Sequence, residues 1–362
     1  MPNVSDLRTT PSPARSRRPR RANVIRLITV VGGAALVLSF PLVSPNPYIL
    51  SVGVMVLNYA VLSTSWNMIS GFTGYISLGH AAYFGLGAYG TGLTIKYLGL
   101  PSFVAFFVAG LIVLVLSIPV GFAALRVRGA SFVIVSLSLV LVLLLVFQGW
   151  RGFTGGSEGL FVPRPFPDLS RSEHHLTFFF LFAALLAVSL LCWWIIDRSR
   201  FGTALKAIRE DEDKAQSLGV PTMQYKLVAH VISATFTALG GGMYALWFGD
   251  LDPIFQFSIL ISSYMVLMAL LGGVRHLFGP LLGAIVLGVA IEFFKLKFGD
   301  TQLHLIATGL LLGIVVLFMP DGIIPSVQSL LARFRPQESS ISELSAAERL
   351  EEDAKREAEM TR

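Results

Sequence analysis

Apolar residues in this chain gather into runs separated by short polar or charged stretches. The runs cover 27–43, 48–70, 76–95, 102–125, 130–149, 176–197, 226–248, 257–274, 279–297 and 303–319. Most are near the ~20 residues that carry an α-helix across ~30 Å of hydrocarbon. This pattern predicts an all-α, polytopic helical membrane protein of about ten transmembrane helices. The third run, 76–95, fits least well because it is rich in glycine. A soluble globular core would leave the runs unexplained.

One polar interval differs from the rest. Between the runs ending at 197 and starting at 226, Phe201, Leu205, Ile208, Ala215 and Leu218 recur at helical spacing. Arg209 to Lys214 are consecutive charged residues. Lys206–Glu210, Arg209–Asp213 and Glu210–Lys214 are opposite charges at i,i+4, a spacing that supports an exposed helix. Gly219 and then Pro221 supply its stop. A short amphipathic helix clamped between two membrane runs is expected to serve as a surface for a partner.

Composition agrees with the membrane reading. The chain has 362 residues, 54% of them apolar and 14% charged, against about 25% charged in soluble domains. Mean hydropathy is +0.70. The net charge of +6 does not point to nucleic acid, because the basic residues are dispersed and lack interleaved aromatics. A positive-inside bias explains them better. With ten spans and both termini cytoplasmic, all of the 28 Lys and Arg except Lys96, Arg151, Arg164, Arg171, Lys295 and Lys297 fall on the cytoplasmic side. Removing or adding one early span inverts this distribution. The single cysteine, Cys192, lies inside an apolar run, so no intrachain disulfide is possible.

The expected organisation is a basic disordered cytoplasmic tail (1–26), a transmembrane domain (27–325) and a charged cytoplasmic tail (326–362). The first tail, with Arg17-Arg18 and Arg20-Arg21 ahead of an apolar run, resembles a twin-arginine signal. No A-x-A site follows, so 27–43 reads as a retained span. The transmembrane domain carries the cytoplasmic segment 198–226 and a long outer loop, 149–175, of a length that is often functional.

Candidate chemistry is sparse. There is no G-x-x-x-x-G-K-[ST] phosphate loop and no H-E-x-x-H zinc motif, and no nucleophile–base pair stands close in sequence. No catalytic or metal-ligating residue is therefore assigned. Ala81, Gly85, Ala88 and Gly92 place small residues on one face of the third run, suited to close helix packing or to substrate contact. His80 is an ionisable residue at membrane depth, facing either a cavity or a satisfying polar partner. Glu292, near Lys295, reads as half of an interfacial ion pair rather than an ion-coupling carboxylate. Gly240-Gly241-Gly242 makes the run 226–248 either flexible or closely packed.

Several pieces together resemble the LivM-type permeases of bacterial branched-chain amino acid ABC importers. They are S-G-F-T-G-Y-I-S-L-G-H-A-A-Y-F-G-L-G-A-Y (70–89), L-R-V-R-G (125–129), T-G-G-S-E-G-L (154–160), F-G-T-A-L-K-A-I-R-E-D-E (201–212), A-Q-S-L-G-V (215–220), Y-K-L (225–227), G-G-x-x-x-L-F-G-P-L-L-G-A (272–284) and L-F-M-P-D-G-I (317–323). Their joint order over roughly 55–325 carries the resemblance. Where relatives commonly have a glycine and a small polar residue after G-G-x, this chain has Arg275 and His276, which puts the local turn geometry in question.

The resemblance implies a multi-pass subunit of the bacterial cytoplasmic membrane, without ATPase activity or a cofactor of its own. It implies a second, LivH-like permease chain, two ABC ATPase subunits that bind ATP and Mg, and a periplasmic substrate-binding protein. Gly202, Ala207, Glu210, Asp211 and Gly219 would face the ATPase. Ser77, Gly79, His80 and Gly85 would belong to the translocation path or to helix packing. Thr154, Gly156, Ser157 and Glu158 would meet the binding protein. Leu, Ile and Val are the expected solutes. Members that serve urea, short amides or other hydrophobic or aromatic amino acids supply the alternative. A proton-coupled secondary transporter using His80 or Glu292, and a membrane receptor or scaffold, are the readings from other classes.

Overall fold

The computed structural model describes residues 46–299, together with Pro41 and parts of 303–326. Apart from Pro41 and Ser326, the expected span 27–43 and both tails lie outside the described residues, as does most of the expected span 303–319. The long helices are α1 (Pro47–Thr73), α2 (His80–Leu98), α3 (Ser102–Ala124) and α4 (Ala130–Gly149). A four-residue turn of helix, α5 (Arg151–Thr154), then precedes a two-residue strand, β1 (Leu160–Phe161). Next come α6 (Arg171–Arg198), the short pair α7 (Arg200–Glu210) and α8 (Glu212–Ser217), and α9 (Thr222–Phe248). Strand β2 (Asp250–Leu251), the short α10 (Pro253–Gln256), α11 (Ile259–Gly272) and α12 (Gly279–Phe298) complete the series.

Six stretches among the described residues are long and apolar enough to cross a membrane: α1, α3, α4, α6, α9 and the joined Pro253–Gly272. The architecture is that of a helical, multi-pass membrane protein. Helix α2 is not among the six. Its glycines, tyrosines and His80 dilute its apolarity, and it lies largely buried against α9 and α3 rather than toward lipid. Helix α1 is the hub, packing on α6, α9 and α12. Helix α4 is the opposite case, only 17% buried along its apolar window.

Expected and observed boundaries differ where capping chemistry intervenes. The chain leaves α1 through Gly74 at φ 76°, a left-handed conformation suited to glycine. It re-enters a helix only at His80, so 76–79 form a turn. Helix α6 starts at Arg171, five residues earlier than the apolar run, because Ser170 and Glu173 close a reciprocal capping box. The loop between α4 and α6 is therefore shorter than expected and is itself folded. Its strand β1 pairs antiparallel with β2, Leu160 opposite Leu251. The run 257–274 is preceded by the short α10 (Pro253–Gln256) and becomes helical only at Ile259, where Ser258 caps α11.

The closest backbone contact made by a glycine of α2 lies on another face than the one carrying Ala81, Gly85, Ala88 and Gly92. A Cβ on Gly87 would sit 2.0 Å from the Ala238 carbonyl oxygen, and one on Gly241 would sit 2.0 Å from that of Phe84. The glycine triplet of α9 thus serves close packing. Gly85 instead faces the Phe257 ring, and Gly92 faces Leu160 and Val162. In the turn before α12, Gly273 takes φ 107°, and Gly272 lies against the backbone of Gly279. Arg275 is exposed there, so the turn closes around glycines and leaves the substituted side chain outside.

Candidate functional site: a charged platform and a buried polar seam

Helices α7 and α8 form a platform at one end of the bundle. Ser199 caps α7, its Oγ accepting from the Gly202 amide at 3.0 Å. Leu205, Ile208 and Ala215 turn inward to a cluster with Met68, Phe72, Trp193, Ile196 and Ala229. Burying a side chain such as Leu205 or Ile208 stabilises the seat by about 1.5–3 kcal/mol each. The single expected helix is in fact two. Asp211 is extended (φ −162°, ψ 108°), and its carboxylate accepts from the Lys214 amide at 3.0 Å to start α8. That break removes the expected i,i+4 ladder. Lys206 pairs with Asp197 at 2.6 Å, Arg209 with Glu210 at 3.3 Å and Lys214 with Asp211 at 3.0 Å.

The strongest tie is made by a residue the sequence pattern did not single out, Glu212. One carboxylate oxygen accepts from Lys226 Nζ at 2.6 Å and the other from the Tyr75 hydroxyl at 2.5 Å. Lys226 also donates to the Tyr75 oxygen at 2.9 Å. Arg128 approaches Glu212 at 3.5 Å and donates to Asp213 at 2.8 Å. Arg209 donates to the Gly71 carbonyl at 2.9 Å. The platform is thereby bound to the end of α1, the turn after it, the α3–α4 turn and the start of α9. Burial raises the Glu212 pKa, but hydrogen bonds from Lys226 and Tyr75 and the charges of Lys226 and Arg128 outweigh it, leaving the carboxyl below its ordinary value. Burial and the bond to Glu212 push the Tyr75 hydroxyl up. A lysine near the start of a membrane helix was the available signal, since such a charge requires a partner.

Of the expected platform residues, Ala207, Glu210 and Gly219 are exposed and Asp211 is a half-buried cap. Gly202 is buried, and a Cβ there would meet the Ile196 carbonyl oxygen at 2.0 Å. It shapes the platform from inside. Leu218 is 85% exposed, an apolar side chain on the outward side.

His80 occupies a buried polar seam. Its Nε2 lies 2.7 Å from Ser233 Oγ and its Nδ1 lies 3.0 Å from Ser77 Oγ. Because Ser233 donates its proton to the Ser65 carbonyl at 2.6 Å, Nε2 is the donor to Ser233 and Nδ1 accepts from Ser77, as in a neutral ring. Beside this seam, the Tyr83 hydroxyl lies 2.7 Å from His230 Nε2. A cavity of about 300 Å³ between α2, α3, α4 and α9 is lined by Ser77, Gly79, Tyr83, Ser136, Ser138 and His230 among apolar side chains. Ser77 and Gly79 thus line this cavity, whereas His80 and Gly85 are not among its lining residues.

At the far end, Thr154 and Gly156 are buried. Thr154 Oγ1 donates to the carbonyls of Phe147 and Trp150 and accepts from the Gly156 amide, so both residues build the turn. Ser157 and Glu158 are exposed. Glu292 meets Lys295 at 2.8 Å, as expected. His174 and His175 both contact Trp247, through its carbonyl and its indole nitrogen.

Residues 48–320 match the family described as the branched-chain amino acid transport system permease component. The chain belongs to this permease family. Among its relatives, the high-affinity branched-chain amino acid transport system permease protein LivM of Escherichia coli K12 is 27% identical over 298 residues, 76% of this chain and 69% of its own length. BraD of Pseudomonas aeruginosa is 27% identical over 286 residues, 74% of this chain and 91% of its own. LivH of Salmonella typhimurium is 25% identical over 287 residues, again 74% and 91%. The permease match spans the platform, the seam and the loop that carries β1.

Proposed function

We propose that this chain is one permease subunit of an ATP-driven importer for branched-chain amino acids in the bacterial cytoplasmic membrane. The platform end faces the cytoplasm, ten spans cross the bilayer, and both termini are cytoplasmic. A LivH-like second permease packs beside it, two ATPases bind the platform, and a periplasmic binding protein delivers solute near Ser157 and Glu158. The observation that carries this reading is the part-buried Glu212–Lys226–Tyr75 knot beneath the exposed Ala207, Glu210 and Leu218. It makes α7 and α8 a lever: a push on the outer face reaches α1, α4 and α9 without being absorbed by a flexible hinge. ATP binding and hydrolysis in the partner can then bias two membrane conformations.

A proton-coupled secondary transporter gains little support, since both His80 nitrogens and the Glu292 carboxylate already have partners. The solute reading is tested in membrane vesicles containing all five subunits, with ATP supplied and leucine or urea offered. Leucine uptake dependent on ATP is expected. Transport of urea alone, or leucine flux without ATPase subunits, would overturn it.

A further inference from the structure

Beside the platform, the ends of α1 and α6, helix α7 and the turn before α12 enclose a second cavity of about 240 Å³. Phe72 and Trp193, with ring centroids 5.1 Å apart, form an apolar wall. Lys206, Arg209 and Arg275 also line it, against one carboxylate, Asp197. Lys206 holds that carboxylate at 2.6 Å, so this pair is internally balanced. Arg209 gives one terminal nitrogen to the Gly71 carbonyl and the other to Glu210, while its Nε–H has no acceptor. The indole N–H of Trp193, a residue only 5% exposed, has none either. Arg275 is exposed and takes part in none of the ion pairs among the described residues.

Buried N–H groups without acceptors are rare in folded proteins and ask for an explanation. Both orphaned groups here are donors, and both residues line a cavity with an excess of positive charge and an aromatic wall. That combination suits a ligand with a carboxylate at one end and an apolar body at the other, since charge-assisted bonds to an anion are the stronger kind. The volume lies below the ~300 Å³ at which drug-sized ligand sites begin, which limits the ligand to a small solute.

We propose that this cavity binds a small apolar amino acid from the platform side, its carboxylate accepting from Trp193 and Arg209 beside Arg275, its ammonium meeting the Asp197 carboxylate oxygen that Lys206 does not hold, and its side chain lying on Phe72. The proposal rests on the importer reading, in which the platform side is where product accumulates. The ligand braces α7 against α1 and α6, holds the platform in one geometry and slows the transport cycle. Product level and transport rate are then linked through a site distinct from the seam around His80.

The test uses the complete permease–ATPase assembly in lipid nanodiscs, without the binding protein, and tritiated L-leucine as the probe. Trp193→Phe keeps an aromatic ring and removes the N–H, and Arg275→Gln removes an exposed charge without disturbing packing. Saturable leucine binding is expected, with 4-methylpentanoate competing and L-leucinamide competing about tenfold less well or worse. Each variant should weaken binding about tenfold, equivalent to one strong polar contact. Absence of saturable binding in the unmodified assembly would overturn the proposal. So would binding unchanged in both variants, which would put the bound leucine in the translocation path, or leucinamide competing as well as leucine. Binding that appears only after the ATPases are stripped would mean that a partner's acidic side chain fills the cavity, and would also overturn it. Uptake by the same assembly, reconstituted with its binding protein, separates the two claims. Leucine uptake without cavity binding sinks this proposal alone, whereas no leucine uptake sinks the importer reading.

Discussion

Replacing Glu212 with alanine removes the acceptor that holds Lys226 beneath the platform. The Lys226 side chain is 3% exposed and Glu212 is 11% exposed, and their charged atoms lie 2.6 Å apart. Removing one partner of a buried pair costs roughly 3–5 kcal/mol, because the surviving charge remains desolvated. The Tyr75 oxygen stays within 2.9 Å of Lys226, which places the expected cost near the lower bound, about 3 kcal/mol. That is roughly a hundredfold in the ratio of docked to undocked platform. Backbone hydrogen exchange over 200–226 in the assembled importer reads this ratio directly. Glu212→Ala should raise exchange in α7 and α8 by about that factor and lower ATP-driven uptake in parallel. The double replacement Glu212→Leu with Lys226→Met leaves no buried charge and should recover most of the protection. Exchange in Glu212→Ala within about twofold of the parent, or a double variant as unprotected as the single one, would refute the buried-pair argument.

Further outcomes follow from the same geometry. Because the folded Glu212 carboxyl titrates below its ordinary value, its contribution is fully present above the unfolded pKa of about 4.3 and is lost as pH falls through the folded value. Platform exchange should therefore rise on acidification below about pH 4, and Glu212→Gln should flatten that slope. Gly87→Ala forces a methyl group toward the Ala238 carbonyl and should cost about 1–3 kcal/mol by separating α2 from α9. The thermal transition of the purified permease reports this, with Gly90→Ala, whose Cβ would meet the Ala109 methyl at 3.1 Å and its Cα at 3.7 Å, as the milder control. Ala207→Glu and Leu218→Asp alter exposed positions, so the permease should still insert and fold. Co-purification of the ATPases should fall by about tenfold, the scale of one lost contact.

Much of the helical architecture was written in the apolar runs, since a segment that meets lipid must be apolar along its length. The charged interval 201–218 was legible for the opposite reason, as it cannot enter a bilayer. Asp211 shows where such reading stops. In sequence it extends a run of charges, while in the fold its carboxylate caps a new helix and breaks the expected i,i+4 series. The Tyr75–Glu212 bond joins residues 137 apart, and no periodicity encodes that meeting. The same limit applies to the glycines of α2. Gly85 and Gly87 look alike in sequence, yet the first packs against the Phe257 ring and the second against the backbone at Ala238. His80 was identified as a buried polar residue needing an account, and its two serine partners supply one. Ser233, lying 153 residues away, carried no local sign of that role.

The most direct measurement is cysteine cross-linking from the platform to the ATPase in a transporting assembly. With Cys192→Ser as background, Ala207→Cys should cross-link to the ATPase, change its yield on ATP hydrolysis, and block uptake once linked. Ser157→Cys, at the opposite end, should not link to the ATPase at all. Full leucine uptake with no ATPase contact at position 207, or an ATPase contact at position 157, would contradict the account.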